Sequence, residues 1–253
     1  MKLRNYLIPV GVSVTLIVGL AGCSTPPAKP TSTPTPNAGA AGCLVSDQQC
    51  LGALKPGKYS SVLFDPDATG KPGQLTYTTP EGWANAGDFT FQYMLQPSAA
   101  YLANDQDHWG IIGVLADPGV AQPAGACDPM SIPNSPTDGA SIEASLDGIP
   151  GLTVTKLPSE TISGKPATVF ETSVDTAAVS PKACRAGTVP IIASTTDGQP
   201  WAFQTSESES LRVYVVDLDK DHSVAIYING PKADFAQLTE AAKPLIASFA
   251  LTS

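Results

Sequence analysis

Charge and histidine are both scarce in this chain. Asp, Glu, Lys and Arg make up 15 % of its 253 residues, against about 25 % in an average soluble domain, and the two histidines are His108 and His222. No basic stripe is present: 14 basic residues face 23 acidic ones, for a formal net charge of −9. Phosphate neutralisation needs clustered Lys and Arg, so nucleic acid is excluded as a partner. The motifs G-x-S-x-G, H-E-x-x-H, G-x-G-x-x-G and G-x-x-x-x-G-K-[ST] are absent. With two histidines a Ser-His-Asp triad has few ways to exist. No cofactor and no catalytic residue is expected. A hydrophobic fraction of 42 % is too high for a wholly disordered chain. The length allows one domain of about 200 residues or two small ones.

What is there begins at the N-terminus. Residues 1–22 read as an export signal: Lys2 and Arg4 form a positive start, and Tyr6–Leu20 is an apolar stretch interrupted by Pro9. It falls short of the ~20 apolar residues a spanning helix needs. It ends in Leu20-Ala21-Gly22-Cys23, which resembles the lipobox of bacterial lipoproteins. That resemblance implies cleavage before Cys23 and acylation (palmitate-type chains) of its thiol and new amino group. Two or three chains give a firm hold on the extracytoplasmic side of the cell membrane. Loss of Lys2 and Arg4 leaves 12 basic residues against 23 acidic ones, a formal −11. Such a domain is repelled by an anionic membrane surface, so the lipid must hold it there. Residues 24–42, rich in Pro, Thr, Ser and Ala, read as a tether in extended polyproline II. At ~3.1 Å per residue it reaches roughly 50 Å.

Cys43, Cys50, Cys127 and Cys184 remain. Four cysteines allow three pairings, and an oxidising compartment favours disulfides. Local pairing, Cys43–Cys50 and Cys127–Cys184, is preferred. The second pair closes a loop worth roughly 4 kcal/mol in the chain-entropy model. The competing reading is a metal site, for which there is neither a C-x-x-C nor a nearby His.

Residues 43–253 show no fixed-period repeat and read as one domain of short alternating runs punctuated by Gly and Pro. Strands are expected at Lys58–Phe64, Gln74–Thr79, Phe89–Gln96, Trp109–Leu115, Leu152–Leu157, Ala167–Val174, Val189–Ser194, Trp201–Thr205, Leu211–Leu218 and Ser223–Ile228. The last two flank a hairpin turn, Asp219-Lys220-Asp221-His222. Leu211, Val213 and Val215 face one side, and Arg212, Tyr214 and Val216 the other. One helix starts at a Thr137 or Asp138 cap and runs through Ile142 and Leu146. Another starts near Lys232, with Phe235, Leu238, Ala242 and Leu245 on one face and Pro244 expected to break or kink it. The expectation is class α+β, an antiparallel sheet with two helices, and the alternative is a β-sandwich.

Several stretches carry a resemblance: Pro56-Gly57-Lys58-Tyr59-Ser60-Ser61, Phe64-Asp65-Pro66, Leu75-Thr76-Tyr77-Thr78 and above all Pro80-Glu81-Gly82-Trp83. They resemble a group of uncharacterised exported lipoproteins of actinobacteria, with an L-T-Y-T-x-P-x-G-W signature. The resemblance implies the two local disulfides and an exported setting, and it carries no catalytic residue. The same opening is similar to the Mog1/PsbP-like fold, as fold analogy only.

Three groups are candidate sites. Asp217-x-Asp219-x-Asp221 opens like a Ca²⁺ loop, but position six is His222 rather than Gly and position twelve is Ile228 rather than Glu. A solvated turn is the better reading. Asp105, Asp107, His108 and Trp109 form an acid–His–aromatic corner suited to gripping a ligand; a polar turn is the plain alternative. Trp83, Trp109 and Trp201 can stack on sugars, although core Trp is commoner. The sequence thus points to a lipid-anchored, non-enzymatic binding or accessory domain in the envelope, with a protein or small-molecule partner. A hydrolase of envelope polymers is the alternative, since paired carboxylates can come from distant segments.

Overall fold

In the computed structural model the described residues are 51–61, 63, 75–89, 92–103, 110–121, 135–175, 177, 188–194, 202–220 and 222–251. All lie in one compact unit, Pro36–Ser253. Among them the chain forms β1 (Gly52–Ala53), β2 (Gly57–Ser61), β3 (Leu75–Thr79), β4 (Trp83–Asp88), β5 (Gln92–Pro97), α1 (Ser98–Ala103), β6 (Ile111–Ala116), β7 (Pro118–Val120) and α2 (Gly139–Asp147). These are followed by β8 (Leu152–Ile162), β9 (Lys165–Val174), β10 (Thr188–Ser194), β11 (Ala202–Ser206), β12 (Glu209–Asp217), β13 (Ser223–Pro231), α3 (Phe235–Ala247) and β14 (Ala250–Leu251).

Eight strands pair in the order β1-β4-β5-β6-β13-β12-β9-β8, antiparallel throughout, and two three-stranded sheets, β11-β10-β7 and β14-β3-β2, complete the strand pairing. Each small sheet covers one face of the large one. On the first face Tyr59, Leu75 and Tyr77 pack with Tyr93, Val114, Tyr214, Val216 and Ile226, joined by the α3 residues Phe235, Leu238, Ala242 and Leu245. On the second, Val189, Ile191 and Phe203 pack with Leu115, Phe170, Leu211, Val213, Val215 and Tyr227, joined by Ile142 and Leu146 of α2. The α+β expectation is therefore corrected. The architecture is mostly antiparallel sheet packed on sheet, which fits the β-sandwich alternative, with three short helices as trimmings. The physical reason is that strands such as Thr188–Ser194 are buried on both sides and form covering layers of their own.

Side-chain alternation in β12 is as expected: Leu211, Val213 and Val215 enter one core, Tyr214 and Val216 the other. Asp138 caps α2, its Oδ1 accepting from the Ser141 N–H at 3.0 Å. Pro244 does not end α3, which runs on to Ala247. Proline removes its own N–H alone, so Leu245, Ile246 and Ala247 still carry the donors that continue the helix after it.

Chain crossings between sheets occur at sharp corners. Pro80-Glu81-Gly82 carries the chain from β3 in a small sheet to β4 in the large one, and Gly82 adopts φ +96° there, a conformation that favours glycine. Asp117, with φ +42°, makes the opposite passage from β6 to β7.

Candidate functional site

Two polar constructions stand at the surface of the described residues. The first is the Asp117 corner. Both carboxylate oxygens lie near His222 Nδ1, at 3.1 and 3.2 Å, and Oδ1 also accepts from the Ser223 N–H at 3.3 Å. The Asp117 N–H bonds back to the Ser223 carbonyl at 2.9 Å. A carboxylate only accepts, so Nδ1 of His222 carries the proton. An Asp–His pair is half of a nucleophile-activating device. The adjacent hydroxyl is not its other half: Ser223 Oγ donates to the Thr137 carbonyl at 2.5 Å, and the residue is 2 % exposed. The pair instead ties the β12–β13 hairpin tip to the start of β7. Asp219 belongs to the same tip, its Oδ1 accepting from the His222 N–H at 2.9 Å.

The second construction is a groove of about 300 Å³ between α2 and β8, lined by Ala140, Glu143, Ala144, Asp147, Val154 and Lys156. Its origin is visible in the periodicity of α2. Gly139, Ile142 and Leu146 form the buried stripe. One step round, Ala140, Glu143, Ala144 and Asp147 follow the i, i+3, i+4, i+7 spacing of a second face. Two alanines on that face leave the gap, and Val154 supplies the apolar floor. Lys156 Nζ reaches Glu143 Oε2 at 2.9 Å. Asp147 is exposed and has no ion-pair partner among the described residues. The N-cap bonds that anchor the helix also hold the Asp138 carboxyl below its usual range, chiefly through the Ser141 backbone N–H.

The residues singled out from sequence fall in different places. Trp83 is 4 % exposed and belongs to the first core, directly after the Gly82 corner, so it packs rather than presenting a face. Asp217 and Asp219 are exposed at the β12–β13 turn. No metal-holding group of acids, His or Cys is found among the described residues. Asp221, the Asp105, Asp107, His108 and Trp109 corner, Trp201, Cys23 and the four cysteines Cys43, Cys50, Cys127 and Cys184 lie outside the described residues. Sequence reasoning missed the α2–β8 groove; the Ala140–Asp147 face was legible as a second stripe beside Ile142 and Leu146.

No family model matches the chain, and no curated protein does. Among solved structures it is similar to LpqN of Mycobacterium tuberculosis, described as involved in cell envelope biogenesis, with 12 % identity and a TM-score of 0.41 over 73 % of this chain and 88 % of that one. A protein of Bacteroides thetaiotaomicron VPI-5482 is matched at 12 % identity and a TM-score of 0.35, over 80 % of this chain and 49 % of that one, so the chain spans about half that protein's length. Likeness at this level transfers neither residue roles nor function.

Proposed function

We propose that the chain is an exported, lipid-anchored protein of the cell envelope whose folded part binds a partner rather than catalysing a reaction. The observation that carries the binding reading is the α2–β8 groove. It is open, floored by Val154 and small residues, and rimmed by charge. Its two carboxylates, Glu143 and Asp147, are four residues apart on one helix and so share one wall. Glycoside cleavage needs acids flanking the bond from both sides. The anchor rests on Leu20-Ala21-Gly22-Cys23, and the tether on residues 24–42. Membership of the exported actinobacterial group belongs to the same proposal, supported by the signature around Pro80-Glu81-Gly82-Trp83.

The test is fractionation of cells producing Cys23→Ala. The proposal expects the protein to leave the membrane fraction. Retention in the membrane with an unchanged N-terminus overturns the anchor. A pull-down from source envelopes with wild type and a groove variant, Ala144→Trp, checks the binding half. A partner lost on filling the groove is expected; identical captures overturn it.

A further inference from the structure

Among the described residues β8 is one edge of the large sheet and pairs with β9 alone. Its free side has a definite hydrogen-bonding phase. The Asp175 N–H bonds to the Gly151 carbonyl, one step before the Leu152↔Val174 pair, so Gly151, Thr153 and Thr155 direct their backbone groups toward β9. Val154 and Lys156 therefore direct their N–H and C=O groups away from β9, off the edge. Their side chains line the α2–β8 groove. One short stretch thus offers four outward backbone groups and, beside them, an opening for a side chain. Beyond it the edge closes: Pro158 sits in an irregularity of the pairing between Leu157 and Glu160.

Charge selects the occupant. The groove carries Glu143 and Asp147 against Lys156 alone, and Lys156 is engaged by Glu143. Asp147 is left to meet a cation. A second copy of this chain is disfavoured as the strand donor, because each copy has a formal net charge of −9.

We infer that β8 accepts an extended segment of a basic partner protein as an added strand along Val154–Lys156, with one Lys or Arg of that segment placed in the groove against Asp147. Backbone pairing supplies the affinity, and the groove supplies the preference for a cationic side chain. This deepens the binding reading but is independent of the lipid anchor, whose Cys23→Ala test stands apart.

The experiment uses the full chain in mild detergent and three fluorescein-labelled nine-residue peptides of alternating Thr and Val. One has a central Arg and one a central Glu. The third keeps the Arg but is N-methylated at every residue, so that neither of its edges can pair. Fluorescence anisotropy should show binding of the first and at least about tenfold weaker binding of the other two. Asp147→Asn should weaken the Arg peptide by about tenfold. Hydrogen exchange should show the Val154 and Lys156 amides gaining protection when the Arg peptide is added. Equal binding of methylated and unmethylated Arg peptides reduces the effect to general electrostatics and overturns the inference, as does unchanged affinity in Asp147→Asn. Protection of those two amides in the chain alone, rising with its concentration, assigns the edge to a second copy and overturns it equally.

Discussion

Tyr227 stands directly opposite Gly113 across the β6–β13 pair, and its ring fills the space a side chain at Gly113 would need. A Cβ there would lie 2.0 Å from Tyr227 Cζ. The ring also packs on Phe203, with centroids 4.3 Å apart, and its hydroxyl accepts from Gln92 Nε2 at 2.7 Å. Gly113→Ala should therefore cost about 3 kcal/mol, as overpacking in a closed core does. Urea unfolding measures it. If Gly113→Ala is neutral, the ring is freer than this packing states.

The same tyrosine makes a prediction in alkali. Complete burial pushes the Tyr227 phenol well above its ordinary range, and the Gln92 hydrogen bond only partly offsets this. Burial raises Tyr214 and Tyr59 in the same direction. A phenol whose folded pKa is raised stays protonated in the native state while the unfolded chain ionises. Its contribution is intact below the unfolded value of about 10 and is lost as pH rises above it. Stability should fall steeply above about pH 10, and Tyr227→Phe should flatten that fall. Denaturation midpoints at stepped pH decide it; parallel curves for the two proteins would remove Tyr227 from the account.

At the Asp117 corner two demands meet in one residue: a positive φ and a carboxylate that binds His222 and the Ser223 N–H. Asn tolerates the left-handed region and keeps one acceptor, whereas Ala does neither. Asp117→Ala should destabilise by about 2 kcal/mol and Asp117→Asn by less than half of that. Thermal unfolding of the pair tests it. Equal losses would show that backbone strain plays no part.

The cysteine reading has a direct chemical check. Intact mass before and after reduction, with alkylation, should find no free thiol at Cys43, Cys50, Cys127 or Cys184. Peptide mapping should place the bridges at Cys43–Cys50 and Cys127–Cys184. An alkylated Cys127 or Cys184 in unreduced protein defeats the pairing.

All ten strands anticipated from alternation and breaker residues are present within a few residues of their expected positions. Those that escaped are informative. β4, Trp83-Ala84-Asn85-Ala86-Gly87-Asp88, consists of poor strand formers after Trp83 and is a strand because β1 and β5 pair with its two sides. β1 and β7 are too short to show a period. Assignment of strands to sheets was illegible for a different reason. Alternation tells which residues share a face, but a strand buried on both sides, such as β10, has no alternation to read. The P-x-G-W motif was seen in the sequence, while its purpose emerges only from topology: it is a corner between two sheets. The groove on α2 was half legible, in that its residues follow a helical spacing. That this face looks onto an open edge rather than into a core is a tertiary fact.

The two edges of the large sheet are unequal: β8 runs for 11 residues, whereas β1 has 2. A sheet grows into a fibre only if each unit offers one edge to receive and another to donate. This sheet has length for receiving and almost none for donating. Among the described residues its valency toward strands is therefore one, so many copies can crowd together without a chain reaction of edge-to-edge pairing through this sheet.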